Sequence, residues 1–186
     1  MGILDEISCQ TSWKISKIWH IFLKAREISG NIPVIDETDK KILNLLQANG
    51  RLTNAEIADQ VGLSVSAAHR RVKQLEASGV IKGYGAKVDR AEAGLTVLAY
   101  VFIKLDSHAE DHLSAFEKQI KQMDEVVSCS AVSGGGDYIL QVVARDMDRF
   151  AEVALKKLVR LPGVKDSSSH FVLSTMKEAA GWPLSA

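Results

Sequence analysis

Residues 53–79 read TNAEIADQVGLSVSAAHRRVKQLEASG. Thr53 stands three residues ahead of Glu56, the spacing at which a capping hydroxyl and a carboxylate satisfy each other's unpaired backbone donors, so a helix is expected over Asn54 to Gln60. Val61-Gly62-Leu63 is too short for anything but a tight turn, and Gly62 supplies the positive φ that such a turn often needs. Ser64 then caps a further helix, Val65 to Ser78. Two helices joined by a short glycine-containing turn make a helix-turn-helix, whose second member enters the major groove of DNA.

At roughly 100° per residue the second of these helices divides into faces. Val65, Ala68, Val72 and Leu75 fall on one side, Ser66, His69, Arg70 and Lys73 on the other, with Arg71 at the boundary. Any surface helix carries charge on its wet face. Here Arg70, Arg71 and Lys73 are opposed only by Glu76, and the preceding turn aims the cluster outward. Lysine and arginine neutralise phosphate, and arginine pairs two donors with guanine. The candidate DNA contacts are therefore Ser64, Ser66, His69, Arg70, Arg71 and Lys73.

Outward from this core, Ile42, Leu43, Leu45 and Leu46 recur at helical spacing over Asp39 to Asn49, with Asn49-Gly50 as the stop. On the other side, Val80 to Tyr84 alternates as a short strand and Ala86 to Val88 as a second, which makes the module a winged helix variant. In such a wing Lys82 and Lys87 could touch backbone phosphate, with plain solvation the preferred reading of Lys82.

These residues resemble a known family. Asp36-Glu37-Thr38-Asp39-Lys40-Lys41-Ile42-Leu43, the run Leu46 to Asn54, Val61-Gly62-Leu63-Ser64-Val65-Ser66, Arg70 to Glu76 and Gly79 to Tyr84 are similar to the Lrp/AsnC, or feast/famine, transcription regulators. The likeness runs from about Asp36 to the C-terminus. Many relatives carry proline where this chain has Val65 or Ala67. The resemblance implies a bacterial or archaeal DNA-binding regulator with a C-terminal domain that senses an effector, usually an amino acid, and builds the oligomer, with dimers assembled into octamers.

The C-terminal half reads as strand, helix, strand, strand, helix, strand without that help. Leu95 to Leu105 is a long apolar strand, and Leu113, Phe116, Ile120 and Met123 mark a helix over His112 to Met123. Val126 to Val132 and Tyr138 to Ala144 form a hairpin around Gly134-Gly135-Gly136. Met147 to Leu161 is a helix ended by Pro162-Gly163, and Val164 to Met176 is the last strand. This order is the ferredoxin-like βαββαβ plan. Its sheet has one face under the helices, and the other face needs a cover, most simply the same sheet of a second chain; at least a dimer is expected.

Within the resemblance, the segment from Val132 through Gly134, Gly135, Gly136, Asp137 and Tyr138 is similar to the family's effector loop. Glycine backbone N–H groups suit a carboxylate and Asp137 suits an ammonium group. A plain hairpin turn ending in an aspartate explains the same residues.

The 186 residues fit two small domains. Net charge is zero overall. Residues 36–90 carry nine basic against seven acidic side chains, and the remainder beyond them is acidic on balance. So small an excess predicts DNA binding that salt weakens strongly. Cys9 and Cys129 make no CxxC pair and have no histidine at ligand spacing, and His69, His108, His112 and His170 lack acidic partners at metal-site spacing. No nucleophile motif, phosphate loop or carboxylate pair is present, so neither an enzyme nor a cofactor is expected, and a reducing cytoplasm fits.

Residues 1–35 stand apart. Ile15, Ile18, Trp19 and Phe22 recur at helical spacing among Lys14, Lys17, His20 and Lys24, an amphipathic helix too short and charged to span a bilayer. Packing on the oligomer, lying on a membrane or DNA surface, and origin from an upstream start or appended sequence all remain open; packing or an appended origin is preferred to a membrane role. The expected architecture is thus α+β: an extension at 1–35, a winged helix-turn-helix at 36–90, a ferredoxin-like effector and oligomerisation domain at 91–176 and a tail at 177–186. The expected function is a sequence-specific transcription regulator responding to an amino acid or related metabolite. The alternative is a small-molecule-binding regulatory subunit of a metabolic enzyme, since the ferredoxin-like fold hosts many roles.

Overall fold

In the computed structural model, residues 35–106, 110–179 and 181–184 are described; the amphipathic segment at 1–34, with Cys9, lies outside them, as does His108. The described residues fall into two compact units, 35–87 together with 177–184, and 88–176.

The first unit is built from three helices, α1 (Glu37–Ala48), α2 (Asn54–Val61) and α3 (Val65–Ala77). Each starts where a side chain takes up the first free amides. Asp36 accepts from the Asp39 N–H in a reciprocal box with Asp39, Thr53 does the same with Glu56, and the Ser64 hydroxyl accepts from the Ala67 N–H. Between α2 and α3 the chain turns at Gly62, whose φ of 72° is the left-handed conformation that glycine adopts without strain. The apolar stripes of the helices, Ile42 and Leu43, Ile57 and Ala58, and Ala68, Val72 and Leu75, close on one another as a small core.

Two expectations are corrected here. Val65 does not join that core; as the first residue of α3 it projects past the end of the packed stripe and is 53% exposed. No strand forms over Val80 to Tyr84 or Ala86 to Val88: the chain there is irregular and mostly exposed. A strand is defined by a hydrogen-bonded partner, and the alternation in sequence supplies none. Residues 182 and 184 of the tail bond to α1. The Gln47 amide accepts from the Trp182 N–H at 2.6 Å and donates to its carbonyl at 3.1 Å, Asn44 donates to the Leu184 carbonyl, and Leu184 packs on the helical core.

The second unit is a four-stranded antiparallel sheet ordered β2-β3-β1-β4, from β1 (Val97–Leu105), β2 (Val126–Ala131), β3 (Tyr138–Ala144) and β4 (Val164–Phe171). Alternation sorts each strand. Ala99, Val101, Ile103 and Leu105 of β1, with Leu140 and Val142 of β3, face the core with Phe116 and Ile120 of α4 (Glu110–Ile120). The second helical segment was expected to be one helix and is three in succession: α5 (Met147–Ala151), a π-helical stretch at Glu152–Lys157 and a 3₁₀ turn at Leu158–Arg160. Phe150, Val153, Ala154 and Leu158 are buried on it, positions that the widened stretch still turns toward the sheet. The last strand ends at Phe171, short of Met176, because its ladder with β1 ends where Phe171 pairs with Ala99.

Candidate nucleic-acid interface and effector hairpin

The outward side of α3 begins at the Ser64 cap. Ser64, Ser66, His69, Arg70 and Lys73 are all exposed. The Ser64 and Ser66 hydroxyls lie 3.2 Å apart, and the His69 ring nitrogen Nδ1 is 3.1 Å from the Asn54 amide on α2, which ties the two helices at their outer edge. Lys73 pairs with Glu76 one turn on, at 3.0 Å, and Glu76 also accepts from the Tyr84 hydroxyl at 3.1 Å. Those two contacts, Lys73 first, hold the Glu76 carboxyl below its ordinary pKa. Arg70 forms no ion pair among the described residues, so its fork of donors points into solvent.

Arg71 is set apart from the rest. Its Nη1 donates to Asp36 Oδ2 at 2.7 Å and to Asp39 Oδ1 at 2.8 Å, and 29% of the side chain is exposed. The Asp39 backbone N–H first, and then Arg71, hold the Asp36 carboxyl below its ordinary pKa. Helical spacing puts Arg71 at the edge of the basic face, and the acidic start of α1, more than thirty residues away in sequence, captures it.

In the second unit, the five residues of the effector loop separate. A cavity of about 810 Å³ opens beside the β2–β3 hairpin and is lined by Gly135 and Gly136 with Ser133, Tyr100, Phe102, Lys104, Asp166 and His170. Gly134, Asp137 and Tyr138 are not among its walls. Gly136 lies so close to β1 that an added Cβ would sit 3.4 Å from the Ile103 carbonyl oxygen. Asp137 is 6% exposed, and its Oδ2 accepts from the Leu105 N–H at 2.8 Å while its own N–H donates to the Ile103 carbonyl. The Asp137 carboxylate thus bonds the end of β1, because β1 and the hairpin share one register. Tyr138 turns to the helical side, stacking at a tilt on Phe116 at 4.7 Å, and burial, with Glu117 beside it, pushes its hydroxyl up to about 12. Among the cavity residues that sequence reading missed, Tyr100, Phe102 and Lys104 occupy every second position of β1 on the face away from the core, and that alternation was the available signal. Cys129 is a free exposed thiol. Among the described residues no group of three or more metal-ligating side chains occurs, and no helix is long and apolar enough to cross a membrane.

A capped helix-turn-helix with an outward cationic face, joined in one chain to a four-stranded α+β domain with a cavity at its hairpin, defines a DNA-binding regulator with an attached ligand-binding domain. Residues 35–82 match the family model of the winged helix-turn-helix DNA-binding domain, and residues 98–182 match that of the Lrp/AsnC ligand binding domain. The chain belongs to the Lrp/AsnC family of transcription regulators. It is 34% identical over 145 residues to the leucine-responsive regulatory protein of Escherichia coli K12, an alignment that covers 78% of this chain and 88% of the relative. Among solved structures it is similar to a transcriptional regulator from Neisseria meningitidis in complex with L-Met (38% identity, TM-score 0.77, covering 81% of this chain and 97% of that one). An AsnC family regulator from Agrobacterium tumefaciens is comparably similar (32% identity, TM-score 0.75, coverage 80% and 97%). Both family matches in one chain favour the regulator over an enzyme's regulatory subunit, a role that would leave α1 to α3 unused.

Proposed function

We propose that the Ser64, Ser66, His69, Arg70 and Lys73 face of α3 reads operator DNA in the major groove. An amino acid or related metabolite, as in the L-Met complex of the Neisseria relative, modulates that reading from the cavity beside Gly135 and Gly136. Lys104 and Asp166 on the cavity wall supply the opposite charges that a zwitterion needs. The uncovered sheet face, where Tyr100 is 40% exposed, is closed by the same face of a second copy, giving a homodimer on which larger assemblies are built. The observation that carries the DNA reading is Arg70, an exposed guanidinium without an ion-pair partner among the described residues, presented on a capped helix.

The test is a gel shift on a duplex selected from a random library by the purified protein. Arg70→Ala weakens binding by about 1–3 kcal/mol and lowers the salt slope by about one. Unchanged binding removes α3 from the interface. A thermal-shift screen against the twenty amino acids identifies the effector, because a ligand bound only by the folded state raises its melting temperature; no shift with any of them argues for another metabolite class. A monomeric mass in solution scattering at micromolar concentration would overturn the shared sheet face.

A further inference from the structure

The geometry points to Arg71 as a positioning residue for the DNA-reading helix and not a contact with nucleic acid: it locks α3 to the first turn of α1 and so sets the direction in which Arg70 meets the duplex. The inference rests on the DNA reading of α3 proposed above.

Arg70 and Arg71 are neighbours in sequence and leave the helix about 100° apart. Arg70 goes to solvent. Arg71 goes across the module, where one nitrogen, Nη1, is shared by two carboxylates at 2.7 and 2.8 Å. The Asp39 side chain of this trio is only 13% exposed, so the contact is shielded from the solvent screening that makes most surface pairs weak.

The anchoring point is the capped start of α1. Asp36 and Asp39 are the two members of its capping box, with the Asp39 N–H donating to Asp36 Oδ1 at 2.8 Å and the Asp36 N–H returning to Asp39 Oδ2 at 3.4 Å. A guanidinium bound to both members cannot move without disturbing the cap. The apolar contacts between these helices are non-directional, whereas a charge-assisted bond to a fixed cap is specific in angle and distance. The charge balance agrees: two carboxylates around one guanidinium leave the group negative, so a phosphate approaching Arg71 is repelled by Asp36 and Asp39.

The experiment uses the full chain, the library-selected duplex and a scrambled duplex of the same composition. Arg71→Met keeps the aliphatic stem, Asp39→Asn is isosteric, and the double variant joins them. Arg71→Met and Asp39→Asn should each weaken binding to the selected duplex by about tenfold, with little change on the scrambled one. The double variant should be no worse than the weaker single, because the two substitutions break one link. The slope of log K against log salt should stay at the wild-type value in all three, while Arg70→Ala lowers it by about one.

Asp39→Asn is the decisive arm. Removing a negative charge from a DNA-binding module tightens binding by simple attraction, so a loss confined to the selected duplex can come only through geometry. Tighter or unchanged binding by Asp39→Asn, or a salt slope lowered by about one in Arg71→Met, overturns the inference. Should Arg71→Met lose its helical circular dichroism, Asp39→Asn alone makes the same comparison. If the wild-type protein enriches no duplex, the DNA reading itself fails, and that result is distinct from any difference among variants.

Discussion

The two units of this chain hold their functional polar groups in opposite ways. In the helical unit, the side chains proposed to meet DNA are exposed, and short-range caps at Asp36, Thr53 and Ser64 fix the helices that carry them. In the sheet unit, Asp137 is buried and bonded to β1, and the cavity beside it is lined from three strands and a hairpin. The first arrangement is local and tolerates surface change. The second depends on pairings across the sheet, so a change at the hairpin also loosens the strand beneath it.

The largest effect that tests this contrast is in the core. Phe116 is fully buried between α4 and the sheet, and Phe116→Ala should destabilise the sheet unit by about 3–5 kcal/mol. Differential scanning calorimetry should show that transition moving while the one belonging to the helical unit stays. If both move together, the units do not unfold separately and the contrast breaks.

Next is Asp137→Ala, which strands the Leu105 amide at the end of β1 and should cost about 1–3 kcal/mol in denaturant titration without any ligand present. A variant with wild-type stability and lost effector binding would assign Asp137 to the ligand and not to the strand. Thr53→Ala removes the α2 cap and should cost about 1 kcal/mol. Circular dichroism melts check it, and a loss larger than that of Asp137→Ala would reverse the ranking of the two units.

The smallest effect is a pH dependence. Glu125 accepts from Lys157 at 2.7 Å and Arg149 at 2.8 Å, and the Lys157 bond first of all holds its carboxyl below the ordinary 4.5. A depressed carboxylate contributes stability that is present above its unfolded pKa and lost as pH falls through its folded one. The sheet unit should therefore weaken as pH drops below about 4.5, and Glu125→Gln should flatten that part of the curve by less than about 1 kcal/mol. An unchanged curve would assign the acid sensitivity to other groups.

What the sequence made legible follows the same division. The Thr53–Glu56 box, the Ser64 cap and the Gly62 turn are encoded within three or four residues of one another, and each formed as expected. The order of strands and helices was readable because alternation and helical spacing are local too. Helical spacing says that Arg71 leaves α3 at the edge of the basic face and nothing about the carboxylates on another helix that meet it there. The wing strands were expected from alternation alone, and a strand also needs a partner. Lys104 and Asp166 come together only through the β1–β4 ladder, which joins positions sixty-two apart in the chain.

The route of residues 181–184 matters for anyone handling this protein. Because α1 grips the main chain at Trp182 and Leu184, a purification tag or fluorophore spliced on after Leu184 emerges against the helical unit. Labels for following operator docking belong there, and bulky fusions meant to be inert do not.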